Sequence, residues 1–108
     1  ALEAYENKDF AKSQIIFEDL ITKNKEDIVA TFYAGLSSLA EEKVEKSIDY
    51  LETVRFNSNE YYEASTWYLA LANLKLDHKK DAKNLLEDLS NSKDRFYAKR
   101  AKNLLTEL

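Results

Sequence analysis

The sequence predicts an all-α protein, and three observations carry that expectation. One Gly and no Pro occur in 108 residues, too few turn formers for a sandwich or barrel with many tight turns. Apolar residues recur three and four apart, as at Phe10, Phe17 and Leu20 (with Ser13 on the same face) and at Ile48, Leu51 and Val54, which is the spacing of one helix face. Apolar residues make up 44% of the chain and aromatic residues 12%, enough to offset the entropy of ordering it, and the length is that of one domain with a continuous core.

The elements follow in order from where small polar residues interrupt the periodicity. Breaks fall at 7–9, 24–27, 40–42, 57–59, 77–78 and 90–92. Asp9, Asp27, Asn59, Asp77 and Ser92 are the expected N-caps, each able to accept from an unpaired helix N–H for about 1 kcal/mol. Seven helices result, over 1–7, 9–23, 28–40, 43–55, 60–75, 78–90 and 93–107. The short connections make successive helices antiparallel hairpins.

The chain also repeats itself. Ser13, Ser47 and Ala82 are small residues early in the second helix of each hairpin, followed by Phe17, Leu51 and Leu86 and then by Leu20, Val54 and Leu89. Ala1, Gly35 and Ala70 precede them, with Tyr5, Leu39 and Leu74 between. Each column steps by 34 and then by 35, so the extra residue falls at 57–59, where it lengthens a loop without turning a helix face. A sixth column, Phe10, Val44 and Lys79, holds twice and then fails. Small residues at a helix crossing let two backbones approach while larger neighbours fill the space around them.

With these columns and the string from Trp67 to Leu74 followed by Asp81 and Ala82, the chain resembles the tetratricopeptide repeat family over essentially its whole length. That resemblance implies a right-handed α-α superhelix of antiparallel helix pairs. It makes 1–108 a single domain of about three repeats: a partial one at 1–23, pairs at 28–55 and 60–90, and a closing helix at 93–107. Ala101 takes the slot of Phe32 and Trp67 there, and Leu104 that of Gly35 and Ala70. The chain departs from the family pattern in having no Pro, in Ser at two of the three small positions, and in Lys8, Glu42 and Asp77 where the inner turn carries Gly.

No chemistry is concentrated anywhere. Absence of Cys excludes disulfides, thiolate metal sites and a thiol nucleophile. His78 is the single histidine and has no partner set for a metal or for acid–base work. The pairs Glu18–Asp19, Glu26–Asp27, Glu41–Glu42 and Glu87–Asp88 point about 100° apart on a helix and cannot converge on one atom. Ser13, Ser37, Ser38 and Ser47 have no histidine nearby to activate them, and one Gly cannot build a phosphate loop. The expectation is a protein that is not an enzyme, with no cofactor and no metal.

Charge narrows the partners. The net charge of -4 disfavours nucleic acid, and no window approaches the roughly 18 apolar residues of a membrane span. Residues 1–60 hold 13 acids and 7 bases, residues 61–108 hold 7 and 9, so head-to-tail contact between copies is electrostatically permitted. Lys93, Arg95, Lys99, Arg100 and Lys102 make the last helix cationic, as suits a solvated closing face.

The first helix of each pair carries two apolar stripes. One packs on its own hairpin partner; the other runs through Phe32, Leu36 and Leu39 and through Trp67, Leu71 and Leu74, with Tyr33 and Tyr68 beside it. A helix apolar around most of its circumference must be covered on two sides. Tetratricopeptide proteins hold peptides or helices on this inner surface, so the resemblance implies a partner-binding groove at Phe32, Tyr33, Leu36, Trp67, Tyr68 and Leu71. The family's carboxylate-gripping slots hold Tyr33, Ala64 and Tyr68, which favours an apolar ligand, an amphipathic helix or self-association over a terminal carboxylate. The alternative function is a structural or self-associating repeat segment of a larger protein, free or membrane-anchored, with no peptide ligand of its own.

The chain begins at Ala1 without Met, so it is expected to be an excised piece. The apolar end at Leu2 and Tyr5 would then be covered by an upstream segment or by a second copy. Strings like Trp67 to Leu74 also resemble extracytoplasmic repeat domains of membrane-anchored bacterial proteins, which implies an extracytoplasmic or periplasmic placement over a cytoplasmic one.

Overall fold

A computed structural model describes residues 28–56 and 60–108. Among these residues there are five helices and no strand: α1 (Ile28–Ala40), α2 (Val44–Phe56), α3 (Tyr62–Lys75), α4 (Lys79–Ser90) and α5 (Arg95–Leu105). The helices expected over 1–7 and 9–23 lie outside the described residues. So do the caps Asp9, Asp27 and Asn59, the repeat positions Ala1, Tyr5, Phe10, Ser13, Phe17 and Leu20, the inner-turn residue Lys8 and the apolar end at Leu2. Each helix packs on the next, and α1 with α3 and α3 with α5 also touch.

Two of the expected N-caps are not caps. Asp77 sits at φ 60°, where it closes α3 instead: its N–H donates to the Leu74 carbonyl (3.0 Å) and the His78 N–H reaches the Asn73 carbonyl (2.8 Å). A residue in the left-handed region cannot also hold the extended backbone of an N-cap, so α4 starts from His78, which makes no side-chain capping bond. Glu42 repeats the device at φ 61° after α1, with Glu42 N–H on the Leu39 carbonyl (3.1 Å) and Lys43 N–H on that of Ser38 (2.8 Å). The inner turn that resembles a Gly position therefore does adopt the conformation Gly favours, at a cost of about 1 kcal/mol for a residue with a Cβ. Ser92 is likewise spent on leaving α4, its N–H on the Leu89 carbonyl (3.0 Å). The cap of α5 is Asp94, which accepts from Phe96 and Tyr97 N–H at 3.1 and 3.4 Å. Ser92 Oγ accepts from Asp94 N–H at 3.0 Å and so holds the cap in place.

The repeat columns become the core. Ser47, Leu51 and Val54 of α2 and Ala82, Leu86 and Leu89 of α4 are all buried. Gly35 and Ala70 face them at the crossings. A Cβ on Gly35 would stand 2.9 Å from Leu51 Cγ and Cδ2, nearer than van der Waals contact, and Leu51 is fully buried with nowhere to retreat. Gly in mid-helix costs about 1 kcal/mol against Ala, less than the overpacking it avoids. Leu104, in the slot of Gly35 and Ala70, is only half-buried, whereas Ala98 and Ala101 are buried. That slot serves the crossing with a following helix, and no described helix follows α5.

The small positions are not equally well filled. Ser38, Ser47 and Ser65 bury hydroxyls without a hydrogen-bond partner, while Ala82 fills the place equivalent to Ser47 with a methyl. Substitution at two neighbouring core positions should therefore move stability in opposite directions. Ser47→Ala removes an unsatisfied hydroxyl and should gain about 1 kcal/mol, while Gly35→Ala should lose about 1 kcal/mol or more. In thermal melts followed by circular dichroism each shift corresponds to about 5 °C.

Candidate partner-binding surface

The six residues expected to line a groove divide into two groups. Phe32 and Leu36 are core residues, 6% and 9% exposed, packed with Leu51, Val54 and Leu69. Tyr33, Trp67, Tyr68 and Leu71 are half-buried and keep surface on offer. The difference has a local cause. The stripe on α1 is roofed by aromatic residues of the next hairpin: the Phe32 ring lies 4.7 Å from that of Tyr61 and meets Tyr68 edge-on (6.4 Å), as it meets its own neighbour Tyr33 (5.4 Å). The stripe on α3 faces α5, where the matching slot is Ala101, so Trp67 packs beside Ala70, Leu86, Leu89 and Ala101 without being covered.

The structure thus joins Tyr33, Phe32, Tyr61 and Tyr68 into one run of rings on α1 and α3, with Trp67 and Tyr97 against the α3–α5 cluster. Tyr61 and Tyr97 were not legible as members. Tyr61 lies seven residues before Tyr68 and so on its helix face, and Tyr97 lies one turn before Ala101. Both spacings are ordinary helix arithmetic, but neither residue falls in a repeat column. Burial raises the pKa of Tyr61, assisted by Glu60 and Tyr33. It raises that of Tyr97 as well, assisted by Tyr68 and Asp94 and opposed by Arg100. Both hydroxyls therefore stay protonated and able to donate across the neutral range.

A polar clamp across α2, α3 and α4 is the second feature that sequence reading did not single out. Arg55, in the last turn of α2, donates through Nε to Thr66 Oγ1 (2.9 Å) and through Nη2 to both Tyr62 Oη (3.0 Å) and Asp88 Oδ2 (2.9 Å). Tyr62 Oη donates to Asp88 Oδ2 at 2.8 Å, and the guanidinium lies 5.0 Å from the Tyr62 ring centroid. Asp88, one of the adjacent acidic pair Glu87–Asp88, is half-exposed, yet it ties two hairpins together. Nearby, a cleft of about 400 Å³ is lined by Glu52, Arg55, Asn73 and Asp81 among others. Its two carboxylates come from different helices and both are exposed.

His78 is exposed at the start of α4. Among the described residues no three His, Cys, Asp or Glu side chains gather as a metal ion requires, and no helix is long and apolar enough to cross a membrane. No family model matches the sequence, and no curated protein matches it.

The clamp has a pH signature. Burial foremost, then the hydrogen bond to Asp88, raises the Tyr62 pKa above 10.0, with Arg55 opposing. A group whose folded pKa is raised contributes its stability in full below the unfolded value and loses it as pH rises through the folded one. Tyr61 and Tyr97 shift the same way, so the melting temperature should fall steeply above pH 10. Tyr62→Phe should cost about 1 kcal/mol near neutral pH and flatten that alkaline limb, as a series of melts on both sides of pH 10 would show.

Proposed function

We propose that this chain is a non-enzymatic protein-interaction module of the tetratricopeptide type. In this reading its helix pairs stack as a right-handed superhelix and α1, α3 and α5 form the inner wall. The occupant of that wall is an apolar or amphipathic segment of a partner protein. The observation that carries the reading is the half-buried aromatic run: Tyr33, Tyr68 and Trp67 pack against the core yet keep exposed surface. Aromatic residues with a polar edge are the side chains on which binding energy concentrates. Further support comes from four of the 34- and 35-residue columns, through Gly35 and Ala70, Ser47 and Ala82, Leu51 and Leu86, and Val54 and Leu89, whose members fill equivalent buried places, and from Glu42 and Asp77, which share one conformation one repeat apart.

Tyr33, Tyr68 and Trp67 are the residues assigned to contact. Phe32 and Leu36 act beneath them, fixing where the rings stand. Trp67 is the only tryptophan, which makes it a reporter. Peptides selected from a displayed random library should shift its emission on titration. Tyr68→Ala should weaken them by about 30-fold or more, the loss typical of a hot spot, with helical circular dichroism retained. Selected peptides that bind equally well to Tyr68→Ala and Tyr33→Ala, or a library that yields none, would overturn the proposal.

A further inference from the structure

A second surface lies away from the aromatic run. Lys93, Arg95, Lys99 and Lys102 line one open groove of about 700 Å³ between the end of α4 and α5, together with Ser90, Ser92 and Ala98 and no carboxylate. All four cations are exposed, and none has an ion-pair partner among the described residues. Arg95, Lys99 and Lys102 stand at i, i+4 and i+7, so they form one row about 10 Å long on the α5 surface.

The chain carries the complementary row. Glu45, Asp49 and Glu52 stand at i, i+4 and i+7 on α2, all exposed and without an ion-pair partner among the described residues. The two rows cannot satisfy each other within one molecule, because α2 and α5 belong to different hairpins and are not a packed pair. We infer that the α5 groove of one molecule docks the acidic row of α2 on a second copy of this chain. Charge sign, spacing and length all match: three carboxylates meet three cations whichever way the helices run, since the middle members are Asp49 and Lys99. The contact joins two different patches, so it propagates head to tail and closes only as a ring. The surplus of acids in residues 1–60 and of bases in 61–108 orients successive copies the same way.

Exposed ion pairs are individually weak and screened by salt, so the association is a low-affinity one that needs concentrated protein. Sedimentation of the full chain in about 20 mM salt should show a mass that rises with concentration, and a monomer in about 500 mM salt. The triple variant Arg95→Glu, Lys99→Glu, Lys102→Glu should be monomeric in low salt, as should Glu45→Lys, Asp49→Lys, Glu52→Lys. Mixing the two should restore association with the variants alternating in equal numbers, because each row of one then faces an oppositely charged row of the other. Should either triple variant fail to fold by circular dichroism, Lys99→Glu and Asp49→Lys serve singly, each weakening association several-fold and together restoring it. A wild-type chain that stays monomeric in low salt overturns the inference. So does a pair of folded variants that do not recombine, or a groove that binds polyglutamate while the chain itself remains monomeric. None of these changes touches Trp67, Tyr68 or Tyr33, so peptide capture on the inner wall and self-docking through α5 can fail separately.

Discussion

Everything in the described fold depends on how closely two helices of a hairpin can approach. At the α1–α2 crossing that distance is set by a missing atom: Gly35 presents no Cβ, and Leu51 fills the space to 2.9 Å of where one would be. At the α3–α4 crossing Ala70 takes the place of Gly35, and Leu86, fully buried, the place of Leu51. Because the narrow residue and the wide one recur one repeat later, the second hairpin inherits the same geometry. Wider residues at Gly35 or Ala70 would push the helices apart and with them the aromatic residues that α1 and α3 carry.

Those aromatic residues show how a repeated sequence produces an unrepeated surface. Phe32 and Trp67 occupy one column, yet the first is buried under Tyr61 and Tyr68 while the second stays half open beside Ala101. Burial of a large aromatic side chain is worth about 2 kcal/mol relative to exposure, so Phe32 contributes mainly to stability. Trp67, half open on α3, leaves part of that free energy unclaimed. Arg55 adds a directional element: by bonding Thr66, Tyr62 and Asp88 at once it fixes the junction of the two hairpins through a charge kept partly in water, where its desolvation cost is small.

Much of this is legible in the sequence where periodicity decides the structure, and little of it where single atoms do. The helix over 28–40 is read to the residue, and the columns through Ser47, Leu51, Val54, Ala82, Leu86 and Leu89 identify buried positions because a helix face repeats whatever its neighbours are. Helix starts are read one or two residues early. Asp77 and Ser92 have the chemistry of a cap, but the preceding helix claims their backbone first, and Asp94 takes the role at α5. For the surface, four of the six expected residues keep exposed area. The covering of Phe32 and Leu36 depends on Tyr61, whose contact lies outside any repeat column. The Arg55 clamp was illegible for a similar reason: nothing in the spacing of Arg55, Tyr62 and Asp88 says that their side chains meet.

The most direct test of the account is a through-space proton contact. In a nuclear Overhauser spectrum of the folded chain, the α-proton of Gly35 that points where a Cβ would be attached should give strong cross-peaks to the Leu51 side chain, since Leu51 Cγ and Cδ2 lie 2.9 Å from that Cβ position. Absence of those cross-peaks, with Gly35 still in a helical environment, would mean that the hairpin closes on some other residue, and the stacking built on that crossing would be wrong.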